Sequence, residues 1–238
     1  MLLKNFEDLA PEFQNKDVKK YYDTLKKKTF SLWLKRAFDI VVSAVMLVIL
    51  SPVFLVLAVA IKLDSQGPVF YRQERITQFG EKFRIFKFRT MVANADKIGS
   101  LVTVNNDSRI TRVGSFIRKC RLDEICQLID IFRGTMSFVG TRPEVKKYVD
   151  AYTDEMYATL LMPAGVTSLA SIKYKDEEKL LSASEDTDYT YINQILPDKM
   201  KYNIEYIEKF GFFYDIKLMF MTVFAVLKKE EKEKASVK

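Results

Sequence analysis

The chain contains no histidine among its 238 residues. This absence excludes a histidine-based catalytic triad, an imidazole general base and a histidine-ligated zinc site. Acid–base, nucleophilic and metal-binding chemistry must therefore come from carboxylates, lysines, tyrosines or thiols.

Cysteine is nearly as scarce, with only Cys120 and Cys126 present. Two cysteines are too few for a disulfide framework or a thiolate metal site, so both are expected to be reduced, cytosolic thiols. The sequence also lacks an internal repeat and any recognisable module that reads RNA or DNA. We therefore expect no nucleic-acid partner.

What the chain does have is a basic excess, with a formal net charge of +7. Such an excess favours an anionic partner, and by charge alone nucleic acid, acidic lipid headgroups and phosphorylated substrates all qualify. The length supports one globular domain with extensions. A long apolar segment in the first third of the chain favours membrane lipid among these partners.

That segment covers residues 40–61 and is interrupted by Ser51-Pro52. Its length of about 22 residues is enough to cross a hydrocarbon core of about 30 Å. A signal peptide, an ordinary spanning helix and a re-entrant helix–break–helix are all interpretations of it. Pro52 favours a break, because proline has no N–H to donate and its ring crowds the preceding turn. Basic residues flank both ends, which places both ends on the cytoplasmic side and favours the re-entrant form over residues 35–63.

The two ends of the chain are polar. Residues 1–34 interleave lysines with aromatic residues and are expected to form a polar N-terminal extension, either as an amphipathic helix on an anionic leaflet or as a solvated segment. Residues 228–238 form a charged tail. Residues 173–190 are acidic and predict a surface loop or short helix, and residues 197–227 predict an amphipathic helix whose apolar face meets either the core or the membrane.

Residues 68–91 alternate in polarity on either side of Gly80, which predicts two strands joined by a turn. Lys87 and Arg89 occupy alternate positions of the second strand and are expected to share a face. They are candidates for phosphate or headgroup contacts; solvated charges at a sheet edge are the alternative.

The most informative stretch is residues 117–144, IRKCRLDEICQLIDIFRGTMSFVGTRPE. It predicts a helix from Leu122 that ends near Gly134 and carries Asp123 and Glu124 in its first turn. Two acids at a helix start are ordinarily complements to the helix dipole. The basic residues before them and the Gly-Thr-Arg-Pro turn after them favour a phosphate-handling site with a metal ion.

With these motifs in view, the chain resembles the small monotopic phosphoglycosyl transferases of the bacterial sugar transferase family, from about residue 33 to residue 227. The resemblance is carried by KRAFDIVVSAVMLVILSP, GPVFYRQERITQFGEKFRIFKFRTM, ITRVGSFIRKCRLDEICQLIDIFRGTMSFVGTRPE and AGVTSLASI. It implies transfer of sugar-1-phosphate from a UDP-sugar to undecaprenyl phosphate, with release of UMP.

The resemblance also implies a fold and a location. The fold is α+β and mostly helical, with the re-entrant hairpin, a cytosolic catalytic domain over residues 64–227, amphipathic interfacial helices and a small β-hairpin. The protein is expected to be monotopic on the cytoplasmic face of a bacterial inner membrane, in contact with anionic lipids. Mg²⁺ is the implied cofactor.

Residue roles carry over by motif. Asp123 becomes the nucleophile that forms an aspartyl phospho-sugar, and Glu124, with Asp123, binds Mg²⁺ or assists the acceptor. Arg118 and Arg142 are implied phosphate or uridine contacts, Lys87 and Arg89 are weaker candidates, and Ser51-Pro52 matches the break in the membrane helix.

The chain departs from the family pattern at Cys126, Asp130 and Thr141, where proline, asparagine and proline are usual. Residues 163–165 and Ser168 also differ, which puts the identity of the sugar in doubt rather than the type of reaction. The sequence leaves open the glycan pathway and a homodimer. A catalytically silent scaffold of the same fold is the alternative from another functional class, and a peripheral nucleic-acid binder fits the charge alone.

Overall fold

The computed structural model describes residues 3–95, 107–174 and 186–236, and over these ranges the chain is mostly helical with two small sheets. This confirms the predicted class. The helices are α1 (Lys16–Lys26), α2 (Thr29–Asp64), α3 (Arg112–Lys119), α4 (Leu128–Arg133), α5 (Lys146–Val149), α6 (Leu169–Lys173), α7 (Thr187–Thr190), α8 (Leu196–Lys209) and α9 (Phe212–Ser236). The strands are β1 (Phe70–Ile76), β2 (Lys82–Phe88), β3 (Met136–Val139) and β4 (Ala164–Thr167).

The chain divides into two compact units. The first contains residues 1–39, 75–83 and 134–238, and the second contains residues 40–74 and 84–133. Helix α2 and the β1–β2 hairpin each contribute residues to both units. Most of the acidic segment predicted over residues 173–190 lies outside the described residues, as do the last two residues of the charged tail.

Helix α2 is 36 residues long, which corresponds to about 54 Å. Within the described ranges it is the one helix long and apolar enough to cross a membrane. Its most apolar 18-residue window has a mean hydropathy of 2.9, and 11% of that window is buried. The helix continues through Pro52, which lies in its interior. The re-entrant hairpin therefore stays a proposal.

The Ser51-Pro52 pair has a local hydrogen-bonding consequence. Pro52 has no N–H to donate to the carbonyl of Val48, four residues earlier. The hydroxyl of Ser51 donates to that same carbonyl at 2.8 Å. The serine thus satisfies a backbone group that the proline leaves without its helical partner, which matters most in an apolar environment.

The first unit has the larger hydrophobic core, and the N-terminal segment belongs to it. Asn15 caps α1 by accepting from the backbone N–H of Val18 at 2.8 Å. The apolar face of α1 is buried in this core, as is Phe13 before it; its buried residues are Val18, Tyr21, Tyr22 and Leu25. The sequence analysis considered two alternatives for this segment, a helix on a lipid leaflet and a solvated extension. The apolar face of α1 instead packs against protein.

A second sheet, which the sequence analysis did not predict, is also in the first unit. Strands β3 and β4 pair in parallel, with Met136 opposite Ala164 and Val139 opposite Thr167. Just beyond β3 the backbones of Gly140 and Gly165 touch, since a Cβ on Gly165 would lie 2.1 Å from the Gly140 nitrogen. The sheet thereby fixes the start of the turn at residues 140–144.

The second unit contains residues 70–74 and 84–88 of the predicted β-hairpin, whose strands β1 and β2 form a two-stranded sheet and confirm that prediction. The core of the second unit is smaller and contains apolar residues from α2, β2 and the region of Asp123 and Glu124, a pair that we call the dyad: Leu57, Ile61, Phe86, Phe88, Ile117 and Cys126. The helix predicted from Leu122 is present in two parts, a 3₁₀ helix over Leu122–Gln127 followed by α4.

Candidate active site

The Asp123–Glu124 pair is positioned by a sharp change of direction after α3. Thr111 caps the start of α3 by accepting from the backbone N–H of Gly114 at 3.0 Å. At the other end, Arg121 has φ 53°, a left-handed conformation that costs a non-glycine residue about 1–2 kcal/mol. Such strain persists where the surrounding structure fixes it, and it is common at functional sites. It starts the 3₁₀ helix whose first turn carries both acids.

Asp123 and Glu124 are both half-buried. Burial raises the pKa of Asp123 above its ordinary value, and the neighbouring charge of Glu124 raises it further. The cations of Lys87 and Arg118 oppose that rise. Two neighbouring carboxylates are therefore influenced by two nearby cations, a combination more typical of a functional site than of a solvated helix start.

Lys87 contacts the dyad directly. Its Nζ donates to Glu124 Oε1 at 3.1 Å, and both side chains are about one-quarter exposed. The position of Lys87 depends on the preceding residue, because the backbone N–H of Phe86 donates to the buried carboxylate of Asp130 at 2.8 Å. Asp130 therefore fixes strand β2 beside the dyad.

Asp130 was not among the predicted site residues. The sequence signal was present, since Asp130 falls on the same polar stripe as Asp123 and Gln127 and departs from the usual asparagine. Its role in holding β2 could not be read from the sequence, because its partner is 44 residues away.

Arg89 makes different contacts from Lys87. It is 5% exposed, and its guanidinium donates to the backbone carbonyl of Ser65 at 2.8 Å and to that of Gln66. These hydrogen bonds hold the loop that follows α2 in place. Its role as a phosphate contact stays a prediction.

The two arginines nearest the motif lie in different units. Arg118 is half-buried in the last turn of α3, and its charge acts on Asp123. Arg142 is exposed and belongs to the first unit, in the turn that follows β3.

The two carboxylates of the site are the groups that could hold a magnesium ion. Among the described residues there is no cluster of three or more metal-ligating side chains. Asp123 and Glu124 offer adjacent carboxylates, and Mg²⁺ is commonly held by one or two carboxylates together with waters and substrate phosphates. The donor set therefore suits a metal that arrives with a diphosphate.

Comparison with known proteins adds independent information. A protein of Aeromonas hydrophila named UDP-N-acetylgalactosamine-undecaprenyl-phosphate N-acetylgalactosaminephosphotransferase is 34% identical over 199 residues, covering 82% of this chain and 44% of the relative. An Escherichia coli K12 protein named UDP-glucose:undecaprenyl-phosphate glucose-1-phosphate transferase is 35% identical over 196 residues, covering 80% and 39%. A Caulobacter vibrioides protein of the same name is 32% identical and covered over 69% of its length.

The chain thus spans less than half the length of the first two relatives. The match to the bacterial sugar transferase family extends over residues 30–229 and includes all but the first residue of α2, the hairpin, the dyad and the turn at 140–144. The segment that contains α1 precedes it. On this evidence the chain belongs to the bacterial sugar transferase family.

Proposed function

We propose that the protein is a phosphoglycosyl transferase that moves sugar-1-phosphate from a UDP-sugar to undecaprenyl phosphate and releases UMP. The names of the relatives support a reaction between undecaprenyl phosphate and a sugar donor. The observation that carries the proposal is the half-buried Asp123–Glu124 pair with the cation of Lys87 at 3.1 Å from Glu124. The product would be the first membrane-bound intermediate in assembly of a capsule, exopolysaccharide or glycoprotein.

The reaction would take place in two displacements. In the first, a carboxylate oxygen of Asp123 bonds to the β-phosphorus while the bond from that phosphorus to the bridging oxygen breaks, and UMP leaves. In the second, a phosphate oxygen of undecaprenyl phosphate bonds to the same phosphorus and the Asp123 carboxylate is released. Splitting one displacement into two is the advantage of a covalent nucleophile.

The surrounding groups have separate roles in this scheme. Lys87 and Arg118 balance the negative charge that the substrates bring to the dyad, and Arg118 suits a two-pronged phosphate contact. Glu124, with Asp123, would hold Mg²⁺, which when bound neutralises phosphate charge. Arg142 would contact the diphosphate or uridine, and Arg89 remains a weaker candidate for a phosphate contact.

The membrane arrangement is part of the same proposal. We place α2 as a re-entrant hairpin broken at Ser51-Pro52, on the cytoplasmic face of a bacterial inner membrane. Along most of α2 the apolar side chains are exposed, as expected of a surface that meets lipid. An apolar stripe on α9 would lie at the interface, and the basic excess would favour anionic lipids; the stripe consists of Phe213, Phe220, Val223 and Phe224, all more than half exposed.

The test is release of UMP by protein held in nanodiscs with undecaprenyl phosphate, Mg²⁺ and one UDP-sugar at a time. We expect release with at least one sugar, and a loss of at least about 10³-fold in Asp123→Asn, because the nucleophile is removed. The fold should survive, since the substitution also removes the repulsion between Asp123 and Glu124. A chelator should stop the reaction.

Asp130→Asn is a matched control, because it also converts a carboxylate to an amide but keeps an oxygen to accept from Phe86. It should retain most of the activity. Full activity in Asp123→Asn would reject the nucleophile. Folded protein that is silent with every UDP-sugar would favour the catalytically silent scaffold.

A further inference from the structure

The turn at residues 140–144 is fastened on both sides of Arg142. Before it, the N–H of Gly140 donates to the carbonyl of Thr167 at 3.0 Å, and the carbonyl of Thr141 accepts from Gly165 at 2.8 Å. After it, the carbonyl of Pro143 accepts from Arg75 Nη1 at 3.1 Å. Arg142 is exposed, whereas Thr141, Pro143 and Glu144 are buried. The turn therefore presents one exposed cation from a fixed backbone.

Glu144 anchors the end of this turn with its backbone and its side chain. Its carbonyl accepts from the N–H of Ile76 at 2.9 Å. Its carboxylate is buried and accepts from the hydroxyl of Tyr191 at 2.5 Å and from Nζ of Lys199 at 3.3 Å. Lys199 also donates to the Tyr191 hydroxyl at 2.8 Å. Glu144, Tyr191 and Lys199 thus close a triangle, which we call the Glu144 cluster.

The backbone that carries Tyr191 is unusual. Residues Tyr191–Ile195 form a single π-helical turn between α7 and α8. Such turns are rare and often accompany functional sites. The ring of Tyr191 also packs against Tyr148, with 4.3 Å between ring centroids, and the Tyr148 hydroxyl donates to Asp188 at 2.9 Å. Tyr148 therefore supports the ring of Tyr191, and neither of these two contacts involves the Glu144 carboxylate.

A buried, hydrogen-bonded ionic cluster is weak evidence for stability, because apolar residues of similar volume often stabilise a protein as well or better. What such a cluster supplies is a defined geometry. Here the cluster fixes the position of Glu144, which follows Arg142 by two residues.

We propose that Tyr191 and Lys199, acting through the Glu144 carboxylate, are positioning residues that hold the turn so that Arg142 is presented to the phosphates of the nucleotide sugar. This inference rests on the proposed function, and on the role of Arg142 within it. It joins the segment that contains the π-helical turn to substrate binding, although none of the three residues of the Glu144 cluster needs to touch substrate.

The test is a double-mutant cycle between Tyr191→Phe and Arg142→Ala, with kcat and KM measured for the UDP-sugar in nanodiscs. Tyr191→Phe removes one hydroxyl and keeps the ring stack. We expect it to lower kcat/KM by about 10-fold, mainly through KM, and by less than about twofold when Arg142 is already alanine. Tyr148→Phe is the matched control and should leave KM unchanged.

Each other outcome has a definite meaning. Equal losses from Tyr191→Phe with and without Arg142 would overturn the positioning role, because the effect would not pass through Arg142. Normal kinetics in Arg142→Ala would instead reject the role proposed for Arg142, while UMP release that depends on Asp123 would still stand. If Tyr191→Phe does not fold, the same cycle with Glu144→Gln, which keeps an acceptor for Tyr191, decides the question.

Discussion

Two lysine–carboxylate pairs of this molecule have the same chemistry but different surroundings. In the first unit, Lys35 and Asp215 form an ion pair whose side chains are 3% and 5% exposed. In the second unit, Lys87 and Glu124 form one whose side chains are 24% and 26% exposed. The first pair is enclosed by the protein, whereas solvent reaches both side chains of the second.

The remaining hydrogen bonds reinforce the difference. Lys35 also donates to the carbonyl of Val139 at 2.7 Å, and the second oxygen of Asp215 accepts from the Tyr206 hydroxyl at 2.9 Å. Both charges are thus satisfied inside the first unit, as the burial of charge requires. Burial therefore distinguishes the pair that joins α2 to α9, which is closed to solvent, from the Lys87–Glu124 pair, which is partly open to it.

The largest effect expected from this comparison is on stability. Lys35→Met should lower the free energy of unfolding by about 3–5 kcal/mol, because it leaves the buried Asp215 carboxylate without its cation. Unfolding of the detergent-solubilised protein, followed by circular dichroism in denaturant, measures this. The double variant Lys35→Met/Asp215→Asn should recover much of the loss. A loss below about 1 kcal/mol would mean that the pair is not buried as described.

A smaller effect should appear in the pH dependence of that loss. Burial raises the pKa of Asp215 above its ordinary value, and Lys35 and Tyr206 oppose the rise. Without Lys35 the pKa should rise further. A carboxyl group whose pKa is higher in the folded state destabilises the fold when ionised, and this penalty disappears below its unfolded-state pKa, near 3.8.

The stability difference between wild type and Lys35→Met should therefore narrow as the pH falls from 8 towards 4. The narrowing should be about 1.4 kcal/mol for each unit by which the substitution raises the pKa of Asp215. The variant that also carries Asp215→Asn should show no narrowing. A gap that stays constant across this range would contradict an ionised, buried Asp215.

The features that could be predicted from the sequence are the local ones. The dyad, the apolar helix and the hairpin are local patterns, and each was predicted from contiguous residues. The Lys35–Asp215 pair joins residues 180 positions apart, so no local pattern indicates it. Strands β3 and β4 have four residues each, which is too short for a clear alternation in polarity.

Burial was the second property that the sequence did not supply. The lysines and aromatic residues of α1 suggested a surface segment, yet its aromatic face is in the core. Lys87 and Arg89 occupy alternate positions and were expected to share a face. Lys87 contacts Glu124, whereas Arg89 donates to the backbone carbonyl of Ser65. Arg121 is part of the basic cluster in the sequence, and nothing there indicates its left-handed backbone.

The smallest expected effect concerns the partly exposed Lys87–Glu124 pair, and it should be on activity rather than stability. Lys87→Met should change the free energy of unfolding by less than about 1 kcal/mol, because partly exposed ion pairs contribute little. It should lower kcat/KM for the UDP-sugar by about 10-fold, since a cation beside Glu124 is lost from a site that binds phosphates. Lys87→Arg keeps the charge and should recover part of the activity.

The matched comparison is Lys35→Arg. A guanidinium does not fit a site in which an ammonium group contacts Val139 and Asp215 and is almost fully enclosed, so this variant should be destabilised where Lys87→Arg is not. Paired unfolding and UMP-release measurements on both arginine variants test the distinction. Loss of stability in Lys87→Met with unchanged turnover of the folded fraction would reverse the roles assigned to the two pairs, because Lys87 would then hold the fold and not the substrate.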